Sequence, residues 1–379
     1  MKERKKAAQI AGTVAQMLSG LLVGGLCGLL LVTQLGPVLF AEGMTGITFF
    51  LILGCLLVSI YLFAFIHIVA HEAGHLIGGL LTGYCFSSFR VGSLMILRSH
   101  GKLICKRLHI AGTGGQCLME PPALVNGLCP VFLYNLGGPL MNLLLAAIAG
   151  ILSLPLHAPA AALALQLFAL IGLFMALTNG IPMRMGGVDN DGYNARSLKR
   201  DKAALRAFWI QMQIAAQSVQ GVRLKNMPEA WFVLPTQEQM GNNLIASLAV
   251  FRCNRLMDEL RISEAATAID SLLAQKSGIL GLHRNLLQCE QLFLELVGEN
   301  RPEVTARLHT KDLAKFIKSM RNYPSVLRLQ YAWAKLALRD ETAAAQLLQQ
   351  FEKIVNRYPY ASEIAGEREL LSLVEAAAK

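Results

Sequence analysis

Long apolar stretches separated by short basic ones make up the first half of the chain, and amphipathic helical patterns make up the second. Between Ala7 and Phe89 the charged residues are Glu42 and Glu72, and between Leu108 and Met183 only Glu120 is charged. Uncharged stretches of that length read as helices that cross a bilayer. The pattern predicts four spans, near residues 10–32, 47–83, 124–152 and 161–177. Glycines interrupt the first, which lipid-embedded helices tolerate and which permits close packing. Residues 88–110 alternate differently. Phe89-Arg90-Val91 with 94–97, then Ser99-His100-Gly101-Lys102, then 103–110 read as strand, turn and strand, a β-hairpin at the membrane face.

Past Arg200 apolar residues recur at three- and four-residue spacing, as in amphipathic helices. Tyr323-Pro324 and Tyr358-Pro359 lie 35 residues apart and enclose two such stretches, 325–338 and 342–355. That is the period of a helix-turn-helix repeat of the tetratricopeptide kind, and a plain helical bundle reads similarly. Either suits a surface that binds a partner protein. The expected fold is therefore an all-α polytopic membrane domain of about four transmembrane helices with a membrane-associated β-hairpin, over 1–200. A C-terminal soluble α-helical, tetratricopeptide-like domain follows over 201–379.

Composition agrees with this division. Of the 379 residues 54% are hydrophobic, too many for an ordinary soluble protein. The net charge of +10 does not mark a nucleic-acid surface, because the basic residues of the first half gather in short loops and none forms a run interleaved with aromatics. Met1 to Lys6, 90–107 and 184–200 hold all 13 Lys and Arg of the first 200 residues, whereas 33–46 and 153–160 hold none. By the positive-inside rule four spans then leave both termini in the cytosol of a multi-pass cell-membrane protein. The first span follows a basic start and is too long for the apolar core of a signal peptide, so it is expected to stay uncleaved. Short loops without organelle signals point to a bacterial plasma membrane. Eight cysteines at wide spacing read as small core residues in a reducing compartment.

The chemistry gathers at His71-Glu72-Ala73-Gly74-His75, within the second span. Histidines four apart stand on one face of a helix, close enough to share a metal ion. Zinc lowers the pKa of a bound water, and Glu72 is placed to take its proton and deliver it to a leaving amine. A Glu and two His in an otherwise uncharged apolar run cost several kcal/mol to bury and persist mainly where they function. Gly83 ends the span eight residues after His75, which puts that residue about 12 Å below the cytosolic surface. A catalytic zinc takes a third protein ligand. The break at Asn179-Gly180-Ile181-Pro182 and the segment Gly186-Gly187-Val188-Asp189-Asn190-Asp191-Gly192 offer carboxylates for it. His67, one turn before His71, rises too far along the helix to complete a tetrahedral set and reads as a supporting or packing residue. His100 and His109 have no partner at metal spacing.

Together, His71 to His75 with Gly83, Gly138-Pro139 followed by Asn142, and Asn179 and Pro182 leading to Asp191-Gly192 resemble the site-2 protease family of intramembrane zinc metallopeptidases. The resemblance covers about residues 47–195 and leaves the helical tail unexplained. It implies Zn2+ held by His71, His75 and Asp191, Glu72 as general base, and Asn142 near the catalytic centre. In the family the proline and the Asp-Gly are usually closer together than Pro182 and Asp191, so Asp189 stays an alternative ligand. The expected activity is hydrolysis of a peptide bond in or near a transmembrane segment of a membrane protein substrate. That segment would unwind and pair with the hairpin, and the tail would recruit or gate it. Two other readings compete: a catalytically silent membrane scaffold whose tail binds proteins, and a metal carrier using His67, His71 and His75 as a path.

Overall fold

The computed structural model describes residues 2–41, 43–108, 113–185 and 188–378. Glu42, His109, Ile110, Gly186 and Gly187, which enter the readings above, lie outside the described residues. In chain order come α1 (Lys2–Gln34), α2 (Gly36–Leu39), α3 (Gly46–Leu80), β1 (Cys85–Val91), β2 (Leu94–Ser99), β3 (Lys102–Arg107) and β4 (Gly115–Glu120). Next are α4 (Val131–Ser153), α5 (Pro159–Gly180), β5 (Arg184–Met185), β6 (Val188–Asp189) and α6 (Asp191–Ser197). Then come α7 (Lys202–Val219), α8 (Asn243–Asp258), α9 (Ile262–Ala274), α10 (Gly281–Val297), α11 (Pro302–Leu308) and α12 (Lys311–Ser319). The last are α13 (Pro324–Ala332), α14 (Glu341–Val355) and α15 (Ala361–Ala377). The chain forms two compact units, one of residues 1–92 and 112–202, the other of 93–111 and 203–379.

In the first unit, α3, α4, α5 and residues 17–34 of α1 are long and apolar enough to cross a membrane. Many of their large side chains, such as Leu21, Phe50, Leu62, Leu144 and Ile151, face outward. The helices start and stop where local chemistry dictates. Thr45 caps α3 by accepting from the Thr48 amide, and Gly83, at φ +84°, lets the chain turn back so that the Tyr84 amide reaches the Gly79 carbonyl. The third span is shorter than the hydropathy pattern suggests, because α4 begins at Val131 and not near residue 124. Pro121, Pro122 and Pro130 remove backbone donors there, and Asn126 and Gly127, at φ 53° and 75°, make a tight turn between Val125 and Leu128.

α3 and α4 approach backbone to backbone. A Cβ on Gly74 would run into the Gly137 carbonyl, and one on Gly137 into the Gly74 carbonyl; Gly78 lies against the Leu133 carbonyl in the same way. Small residues four apart along α3 thus let α4 lie at the depth of the two histidines.

The strand region differs from the expected single hairpin. Gly92, at φ 58°, splits the first expected strand into β1 and β2, and β4, which the reading above lacks, pairs antiparallel with β1 (Phe89 opposite Cys117). Arg90 is not an exposed loop charge. Only 1% exposed, it donates from Nη1 to the Gly92 carbonyl at 2.7 Å and from Nη2 to Thr113 Oγ1 at 2.5 Å.

The strand-turn-strand segment itself is β2 and β3, in register from Ser99 opposite Lys102 to Leu94 opposite Arg107. His100 and Gly101, at φ 48° and 77°, supply the turn that a two-residue hairpin requires. This hairpin belongs to the second unit. Met95 and Leu108 pack on Tyr358 and Ile364. Gln220 donates to the Arg98 carbonyl at 2.8 Å and accepts from the His100 amide at 2.9 Å, while Lys106 Nζ donates to the Asn356 carbonyl at 2.9 Å.

The rest of the second unit is helical, around a core that includes Ile269, Leu292, Phe293, Val326, Ala332 and Val374. The expected helix pair within 325–355 is α13, continued by a π-helical turn over Trp333–Ala337, and α14, which Asp340 caps by accepting from the Ala343 amide. Arg339, at φ 52°, makes the break between them. Tyr323 and Tyr358, the tyrosines of the two Tyr-Pro pairs, meet edge to face at 6.0 Å. The buried Arg328 joins Glu290 and Glu367, each at 2.6 Å, and its guanidinium lies 3.8 Å over the Phe293 ring. Not all cysteines are core residues: Cys117, Cys253 and Cys289 are buried, whereas Cys55, Cys85 and Cys105 are exposed.

Candidate metal centre

His71, Glu72 and His75 lie on the inward face of α3, each buried. The one-turn separation brings the Nε2 atoms of the two histidines to 3.1 Å from each other. The His75 ring is fixed from the far side: its Nδ1–H donates to the Tyr134 carbonyl of α4 at 2.8 Å, which leaves Nε2 free to ligate. Gly138 makes the room. A Cβ there would stand 2.6 Å from His71 Nε2 and 2.7 Å from His75 Nε2.

The third donor comes from the break after α5. Asn190 closes that loop, donating from Nδ2 to the Thr178 and Ile181 carbonyls at 2.8 and 2.6 Å and accepting at Oδ1 from the Met183 and Tyr193 amides. It is the N-cap of α6, so Asp191 becomes the first residue of that helix and its carboxylate meets the histidines. Asp191 Oδ2 lies 3.1 Å from His71 Nε2 and 3.5 Å from His75 Nε2. Burial works to raise the Asp191 pKa, but the two imidazoles that face it bring it down to about 2, so it stays a carboxylate. Asp189 is engaged elsewhere, bound by Arg184 Nε at 2.5 Å and Nη2 at 3.0 Å.

His71, His75 and Asp191 form one group whose donor atoms lie within 4.8 Å of one another. Tetrahedral bonds of about 2.05 Å to one ion would hold donors about 3.3 Å apart; the three separations of 3.1, 3.1 and 3.5 Å bracket that value. The Glu72 carboxylate lies between this triangle and β4, near enough to His71, His75 and Asp191 to feel their charges and close to the Cys117 backbone. Gly115 of β4 sits against the same carboxylate, with no room for a side chain. Tyr134 braces the strand from the other side, donating from its hydroxyl to the Cys117 carbonyl at 2.7 Å.

Asn142, fully buried on α4, stands between two histidines, with Nδ2 3.1 Å from His71 Nδ1 and Oδ1 3.4 Å from His67 Nδ1. His67 is no ligand to the triangle; its Nε2 lies 3.0 Å from the Phe168 carbonyl of α5. His100 lies at the turn of the hairpin in the second unit. The sequence reading missed Tyr134 and the Arg184 pairing, and it named Gly138 and Asn190 without the roles they have here. Of these, Asn190 had a legible signal, an asparagine directly before the first turn of a helix. A backbone carbonyl such as that of Tyr134 leaves no trace in residue type.

Comparison of the chain with family models, curated proteins and solved structures finds no match.

Proposed function

We propose that the chain is an intramembrane zinc metalloprotease of the site-2 protease kind, which cuts a membrane protein substrate in or near a transmembrane segment. The observation that carries this reading is the convergence of His71, His75 and Asp191 at tetrahedral separations, with a buried carboxylate one residue from the first histidine. The donor set suits zinc, two imidazole nitrogens and one carboxylate oxygen, as in catalytic sites that keep a fourth position open. When bound, zinc supplies Lewis acidity towards water and the scissile carbonyl. The chain's own groups do the rest. Tyr134 orients the His75 ring. Asp191, held as a carboxylate, lowers the charge of the site. Glu72 serves as general base towards the attacking water and then as acid towards the leaving amine; Gly115 of β4 closes one side of its carboxylate.

A membrane helix protects its peptide bonds by its own hydrogen bonding, so the substrate must be extended before attack. In this reading β3 receives it. β3 pairs with β2 on one side and has no other strand partner among the described residues. The helical tail carries the hairpin on its own surface, through Met95, Leu108, Tyr358 and Ile364, which gives a partner bound to the tail a route to the substrate edge.

The test is full-length protein in detergent with model transmembrane substrates, with and without a zinc chelator, beside Glu72→Gln. Wild type should cleave only with zinc. Glu72→Gln should bind one zinc and cleave roughly 10²- to 10⁴-fold more slowly. Zinc bound by both with cleavage by neither would favour the silent scaffold instead.

A further inference from the structure

We propose that His67 and Asn142 form a relay that sets the tautomer of His71 and so keeps its Nε2 open to the metal, an inference that rests on the zinc reading above. Tyr134 does this for His75 directly, through one carbonyl. For His71, no carbonyl among the described residues is hydrogen-bonded to Nδ1. Its neighbour is the Asn142 amide, which can present either an oxygen or an NH2 group.

The far end of the relay decides which. His67 and Asn142 are both 0% exposed. His67 Nε2 faces the Phe168 carbonyl at 3.0 Å, and a carbonyl only accepts, so Nε2 carries a proton. A second proton on Nδ1 would make a cation in a buried site where no described residue bonds it with a carboxylate, which is costly. Nδ1 is therefore bare, and an acceptor. Asn142 must turn its NH2 to His67 and its oxygen to His71, where Oδ1 accepts from Nδ1–H. The remaining nitrogen of His71, Nε2, then has its lone pair free. The structure places the amide the other way, with Oδ1 3.4 Å from His67 and Nδ2 3.1 Å from His71. That orientation gives a neutral His67 two acceptors and puts the His71 proton on Nε2. Half a turn of the amide, nearly neutral in shape, removes both conflicts. Gly172 fits this assignment: a side chain there would collide with the His67 ring, so α5 leaves a slot for that imidazole beside Phe168.

His67 and Asn142 are thus positioning residues, and their readout is zinc affinity, measured on full-length protein in detergent by competition with a chromophoric chelator. His67→Leu should weaken zinc by about 10- to 100-fold, the usual effect of losing a partner that orients a ligand. His67→Gln, which can donate to Phe168 and accept from Asn142, should restore most of it. Asn142→Asp should keep affinity near wild type, because either carboxylate oxygen can accept from His71. In that background His67→Leu should cost nothing further, since two equivalent oxygens need no orienting. An equal loss from His67→Leu in both backgrounds, or none in either, would overturn the relay. Should His67→Leu fail to fold, Asn142→Leu against Asn142→Asp carries the test: comparable affinities would refute it, and a loss confined to Leu supports it. Wild type without stoichiometric zinc, or His71→Ala with undiminished zinc, would bring down the metal reading itself.

Discussion

Arg184 holds both carboxylate oxygens of Asp189, through Nε at 2.5 Å and Nη2 at 3.0 Å, in a two-pronged pair that leaves the acid no freedom to reach α3. Asp191, two residues on, has no such cation among the described residues and faces two imidazoles instead. The two aspartates therefore differ in role despite their closeness in sequence. Asp191→Asn should lose most bound zinc, whereas Asp189→Asn should keep it and loosen the loop before α6. Metal analysis of the purified variants decides between them; zinc kept by Asp191→Asn and lost by Asp189→Asn would move the ligand to residue 189.

Two neighbouring glycines of α4 should respond differently to a single methyl group. At Gly138 the new Cβ meets the ligating nitrogens of both histidines, and at Gly137 it meets the Gly74 backbone. Side chains can swing aside, but packed backbone cannot without parting the helices. Gly138→Ala is expected to fold and bind zinc poorly. Gly137→Ala is expected to lose stability, by about 1–3 kcal/mol, the usual cost of overpacking. Thermal unfolding in detergent beside zinc titration separates the two outcomes.

How far the sequence carried these residues depended on whether their signal was local. The apolar runs of α3 and α5, the His71–His75 spacing and the helix pair α13–α14 follow from periodicity within one segment, and all are present. The start of α4 was misplaced by seven residues, from 124 to 131, because residues 124–130 are apolar enough to pass for helix while Pro130 and the Asn126-Gly127 turn forbid it. β4 escaped notice because its partner, β1, is distant in sequence, and long-range pairing has no periodic mark. The seating of the hairpin on the helical unit was equally hidden: Met95 and Tyr358 carry no pattern that joins them. His67 read as packing because only the fold brings Phe168 and Asn142 to its two nitrogens.

If substrate adds to β3, its outward amides matter and its inward ones matter only to the hairpin. The two-residue turn makes Ser99 and Lys102 a bonded pair, so the amides of Leu103, Cys105 and Arg107 point away from β2. The Arg107 amide does so, donating to the Arg357 carbonyl. Leu103→Pro would remove one outward donor without touching the β2 ladder. Cleavage should fall several-fold with zinc binding unchanged. Ile104→Pro, on the inward side, should disrupt the hairpin itself. Unchanged cleavage in Leu103→Pro would remove β3 from the substrate path.

The helical unit holds its most exacting electrostatic arrangement at Arg328, 1% exposed, between Glu290 and Glu367 and over the Phe293 ring. Removing the guanidinium leaves two largely buried carboxylates, 13% and 14% exposed, facing each other, so the cost exceeds that of a lost surface pair. Arg328→Ala should destabilise the unit by about 3–5 kcal/mol, as expected when one partner of a buried ion pair is deleted. Replacing all three charges by apolar residues of similar volume should cost much less, because no charge then remains stranded. Chemical denaturation of the full chain in detergent, followed by tryptophan fluorescence, measures both. A single variant no less stable than the triple one would mean that the triad contributes little to the fold of this unit.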